Sequence, residues 1–127
     1  METSEEHAGT AAERGRAELL ELSNAMVALY RSQFGRGPTR TRSNYAGPDI
    51  LITTLEDSLT RAERNMVAMG ENQRLRDTRM FFQHATIDEF VSAVERITGR
   101  KVRGFVSGID VEQDISSEVF YLEPIAR

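Results

Sequence analysis

Hydrophobic positions recur along this chain with two different periods. Between Ala12 and Gln33, Leu19, Leu22, Met26, Leu29 and Tyr30 fall on one face of a helix. Gly35 and Gly37-Pro38 end that helix, with a glycine available for a left-handed cap. Arg40 to Ala46 then alternates, with Arg40, Arg42 and Asn44 on one side and Thr41, Ser43 and Tyr45 on the other. Gly47-Pro48-Asp49 reads as a turn, and Ile50 to Leu55 as a β-branched inner strand, so the pair predicts a hairpin.

Helical spacing returns after Leu59. Thr60 followed by Glu63 is a capping box, in which the hydroxyl and the carboxylate each accept from the other residue's amide. The short helix it starts runs to about Met69, carries Met66 and Met69 towards the core, and breaks at Gly70. In this reading Thr60→Ala costs more than Glu63→Ala. A longer helix is predicted over about Asn72 to Thr98, kinked near Ala85-Thr86. Its stripe is Ile87, Phe90, Val91, Val94 and Ile97, and Gly99 is its cap. Lys101 to Asp110 and Ser116 to Leu122 form a second hairpin, stopped by Pro124.

The predicted order is α-β-β-α-α-β-β. The fold class is α+β, a two-layer sandwich with an antiparallel four-stranded sheet and helices on one face. Residues 1–11 read as a disordered acidic tail and residues 12–127 as one domain. The two halves rhyme: each has a helix ended by Gly-Arg, then a strand pair finishing in Leu-Glu. Duplication of a helix–strand–strand unit and simple recurrence of helix-then-hairpin explain this equally well.

Composition narrows the chemistry. The 127 residues include no Cys and two His, His7 and His84, so thiolate chemistry is excluded and a metal site is not expected. No apolar run approaches the ~20 residues that span a bilayer, and no signal peptide opens the chain, so a soluble cytoplasmic protein is expected. Residues 1–21 hold six acids and two Arg, residues 22–103 thirteen bases and nine acids, and residues 104–127 five acids and one Arg. The basic centre permits nucleic-acid binding, but the net charge of −4 and the lack of a known motif argue against it.

The candidate binding residues are Gly35, Arg36, Gly37 and Arg40. Two glycines admit a ligand close to the backbone, and Arg36 offers an anion fork. The competing reading is a helix cap followed by a rigid turn. Arg74, Arg76 and Arg79 read as a solvated face, and His84 as a packed, hydrogen-bonded histidine. Phe81 and Phe82 cannot both face inward on one helix, which makes them the candidate partner surface. No catalytic residue, cofactor or metal ligand emerges.

Several of these elements also carry a family resemblance. Phe34-Gly35-Arg36-Gly37-Pro38, Leu59-Thr60 with Glu63, Arg79, Ile97-Thr98-Gly99, Asp110 and Val119-Phe120-Tyr121-Leu122 occur in that order. Together they resemble the MpsC-like family, named for a Na+-translocating membrane potential-generating system, over about residues 14–123. Where that family often has Pro after Leu-Thr, this chain has Arg61. The resemblance implies a soluble, non-enzymatic accessory or regulatory module of a membrane cation or bicarbonate-supply system. It transfers no catalytic residue. The partners expected are a second copy, in a dimer, and a membrane transport complex. The alternatives are a small-anion enzyme or sensor at the Gly35-Arg36-Gly37-Pro38 turn and, third, a nucleic-acid-binding regulator.

Overall fold

The computed structural model describes residues 9–125. The elements in chain order are α1 (Ala11–Phe34), β1 (Arg40–Tyr45), β2 (Ile50–Glu56), α2 (Arg61–Ala68), α3 (Asn72–Ala85), α4 (Ile87–Thr98), β3 (Val102–Asp110) and β4 (Ile115–Leu122). The expected element order and the α+β class are what the structure shows. The predicted long helix is two helices, because Thr86 leaves helical geometry at φ −120° and ψ 20°. Of the acidic tail expected over 1–11, residues 1–8 lie outside the described residues. Thr10 caps α1 through a reciprocal pair of bonds with Glu13.

The sheet order is β1-β2-β4-β3, antiparallel throughout. Each hairpin keeps its own two strands adjacent, and β2 and β4 join the hairpins at the centre. Strand side chains alternate between faces, and one face takes the helices. Leu51, Leu55, Phe120 and Leu122 point to that face and are fully buried. They pack with Leu22, Met26 and Tyr30 of α1 and with Phe90, Ala93 and Val94 of α4. Phe105 stacks on Phe120 at 4.7 Å between centroids and on Phe90 at 5.9 Å, so β3 is bonded into the same core.

The two helices that lead into the hairpins, α1 and α4, each stop at a left-handed glycine, Gly35 at φ 82° and Gly99 at φ 70°. A side chain there would meet the steric penalty that glycine avoids. A smaller cluster of Leu59, Leu75 and Val111, flanked by Met66 and Val67, anchors α2 and α3. The expectation that Met69 faces the core is wrong: it is 73% exposed. It is the C-cap of an eight-residue helix that buries none of its residues fully, so its turn lies beyond the reach of the core.

Candidate functional site

Three places collect chemistry-bearing residues. The first lies where β2 hands over to α2. Asp57 and Asp114 both adopt left-handed backbone, at φ 62° and φ 56°. They are tied together: the Asp57 amide donates to the Asp114 carbonyl, and the Ser58 and Leu59 amides donate to the Asp114 carboxylate. Around them opens a cleft of about 460 Å³, lined among others by Thr39, Arg40, Arg64, Val67 and Gln113.

Arg36 reaches this region but does not offer a free fork. Its Nη1 donates to the carbonyls of Asp57 and Leu59, at 2.5 and 3.1 Å, and its Nη2 pairs with the Asp57 carboxylate at 3.1 Å. Thr39 donates to the same carboxylate, and Arg64 pairs with its other oxygen. The Thr39 and Arg36 bonds hold Asp57 below the usual carboxylate range. Gly35 serves as the helix cap. Gly37 runs so close to α1 that a Cβ there would meet Val27 at 3.2 Å. Arg40 is exposed on the first sheet strand. The structure thus brings Arg36 and Arg40 to one end of the sheet, with Arg36 spent on the 57–59 loop.

Beside this loop the expected solvated arginine face breaks down. Arg74 is exposed, but Arg79 is 2% exposed. Its Nε and Nη2 grip the Glu63 carboxylate at 2.8 and 2.6 Å, and Nη2 also donates to the Ser58 carbonyl. Its guanidinium lies 3.7 Å above the Phe34 ring. Glu63 completes the predicted capping box with Thr60 at the same time. Burial alone would raise the Glu63 carboxyl, but the Arg79 and Thr60 bonds hold it below its ordinary value.

This double duty reverses the ranking expected for the cap. Thr60→Ala is expected to cost about 1 kcal/mol through the lost cap. Glu63→Ala is expected to cost roughly 2–4 kcal/mol, because it also strips a buried guanidinium of its counter-ion. Urea unfolding of both variants checks the order. Equal or reversed costs would mean the Arg79 pair contributes nothing net.

The second place is a polar row crossing the sheet inside the core. Ser43, Thr53, Glu118 and Ser107 are successive cross-strand partners, one from each strand, all on the helix face. Ser23 of α1 bonds Ser43 at 2.8 Å, and Ser43 bonds Thr53 at 2.8 Å. Glu118 has no exposed surface. One of its oxygens, Oε2, accepts from the Tyr30 hydroxyl and from the Gln83 amide. Gln83 also donates to Ser107 at 3.1 Å. Burial pushes the Glu118 carboxyl up to about 7, against the opposing bonds from Tyr30, Ser107 and Gln83. A cavity of about 10 Å³, room for about one water, is lined by the Glu118 partners Tyr30 and Gln83 and by Ser107. The pattern of β4 carried a signal for this residue: Ser116, Glu118, Phe120 and Leu122 share one parity, so an acid stands in the core register.

The family is decided over these same residues. A family model described as Na+-translocating membrane potential-generating system (MpsC) matches residues 16–124. The chain belongs to the MpsC family. No curated protein and no solved structure matches it. The match takes in every strand, all of α2 to α4 and most of α1. Through that description, the family ties the chain to a Na+ membrane-potential system. Among the described residues, no helix is long and apolar enough to cross a membrane.

The third place in this MpsC domain is the aromatic pair on α3. Phe81 is 68% exposed and Phe82 41%. Phe82 meets Phe34 edge-to-face at 6.3 Å, and Phe81 meets Phe82 at 5.6 Å. Gln33 of α1 donates to the Phe82 carbonyl and to the Thr86 hydroxyl, fixing this corner. His84, read from sequence as packed, is exposed instead. It lies more than a quarter-turn away from the buried line of Arg79 and Gln83.

Proposed function

We propose that this MpsC domain is a non-enzymatic accessory module that docks onto a protein subunit of the Na+ membrane-potential system through Phe81 and Phe82. The carrying observation is that two large aromatic side chains stand exposed side by side, Phe82 edge-to-face on Phe34 and Phe81 edge-to-face on Phe82, on a helix turn that Gln33 ties to α1 through the Phe82 carbonyl. Rigid exposed aromatics gain contact area on binding while losing little side-chain freedom. The anion reading of Gly35, Arg36, Gly37 and Arg40 has less support, because the Arg36 donors are already engaged within the chain.

The test is site-specific photocrosslinking in the native host, with the reactive group at Phe81 and a control at exposed Glu112. A Phe81-specific adduct with a subunit of the membrane system is expected. Phe81→Ser with Phe82→Ser is expected to lower recovery of the domain with membranes at least tenfold while leaving its circular dichroism unchanged. Unchanged recovery with a native spectrum would sink this reading.

A further inference from the structure

We propose that the sheet face free of helices is the contact between two copies of this chain, related by a two-fold axis lying in the interface and running parallel to the strands. This surface is separate from the aromatic pair. It is set by cross-strand register, which places the outward-facing residues in rows.

The first row is Arg40, Glu56, Ile115 and Asp110, taken across β1, β2, β4 and β3. The next outward row is Arg42, Thr54, Ser117 and Gly108. Beyond it stand Ile52 and Val119 with Val106, and the last row centres on Ile50 and Tyr121. One end of the face is therefore charged, and the other is apolar along its central strands, flanked by Asn44 beside Ile52 and by the Arg103 guanidinium 5.9 Å from the Tyr121 ring. Val106 is 57% exposed. An apolar half-face of this kind on a four-stranded sheet is the feature that sheet-on-sheet packing covers.

A two-fold in the plane of the face has two principal settings. With the axis across the strands, the charged row of one copy lies on the apolar row of the other. Each strand then lies on its own counterpart, which puts Glu56 against Ile50 and leaves Arg40 without an opposite charge, and this is costly. With the axis along the strands, every row lies on its own counterpart, and β1 faces β3 while β2 faces β4. Ile52 then meets Val119 of the second copy, and Ile50 meets Tyr121. Arg40 meets the second copy's Asp110, opposite in charge.

Arg42 falls over Gly108, where open space surrounds the missing Cβ, so the guanidinium has room. Among the described residues neither Arg40 nor Arg42 makes an ion pair within the chain. Four strands at ~4.8 Å and seven rows at ~3.4 Å project an area of about 450 Å². That is small for a specific interface, so the dimer is expected to dissociate on dilution.

Sedimentation of the full chain across a hundredfold concentration range tests this. The 14.3 kDa chain is expected to approach twice that mass at the high end. Val119→Asp is expected to keep it at monomer mass with a native circular dichroism spectrum. Arg40→Asp and Asp110→Arg, on the exposed edge strands, are each expected to weaken association about tenfold. Combining them is expected to restore it to within about threefold. Monomer mass at every concentration overturns the proposal, as does a folded Val119→Asp variant that still dimerises. Should Val119→Asp not fold, the charge reversals decide, and failure of the double variant to recover association overturns the register.

Discussion

Arg79→Ala is expected to lower the unfolding free energy by about 3–5 kcal/mol, among the largest losses any single side chain of this domain can cause. The guanidinium side chain is 3% exposed and its partner Glu63 17%. Removing one member of such a pair leaves the other charge in a site with little water. Here three further losses coincide. The Ser58 carbonyl loses a donor, the Phe34 ring loses the cation above it, and Glu63 is left holding only the Thr60 cap. Arg79→Lys is expected to recover little, because an ammonium cannot reproduce the two-pronged grip. Urea unfolding of the two variants, with Glu63→Ala and the double variant, closes the cycle, with a coupling of roughly 1–3 kcal/mol expected. A coupling near zero would show that the pair merely breaks even against its desolvation.

A pH-dependent loss of stability through neutrality is the second large effect, and Glu118 is its source. Its carboxyl titrates near 4.5 when unfolded and is pushed up to about 7 in the fold. A carboxyl with a raised folded value favours the fold while protonated. Its contribution is therefore complete below about pH 4.5 and is lost as pH rises through 7. The shift corresponds to roughly 3 kcal/mol by pH 8. Glu118→Gln removes the charge but keeps an oxygen to accept from Tyr30 and Gln83. The difference in stability between wild type and Glu118→Gln is thus expected to move by that amount between pH 4 and pH 8, in the direction of the variant. Urea midpoints at half-unit intervals would measure it, and a flat difference would mean Glu118 does not titrate in this range.

The sequence carried the elements and their order because each rests on local signals. Period and parity marked the helices and strands, the Thr60–Glu63 spacing marked a cap, and Gly35 and Gly99 marked two helix ends. The parity of β4 holds the signal that Glu118 stands in the core, but a lone acid among Ser, Phe and Leu does not announce itself and was missed. Chain separation hid the rest. Arg79 looked like one of three arginines stepping along a solvated helix. Only folding sets it against Glu63, sixteen residues away, and against Phe34, far earlier in the chain. Arg36 looked like a free anion fork until the β2–α2 connection came back to take its donors. Phe34, Arg36, Leu59, Thr60, Glu63 and Arg79 read as separate motifs along the chain, yet in the fold they form one knot. Likewise the rows of the open face exist only because β2 and β4 pair in one register, and a shift of one residue would turn every one of those side chains to the other side. Spacing along the chain determines what a helix or strand presents. What each presented group meets is decided by long-range packing, and the chemistry of a buried or paired charge follows from that meeting.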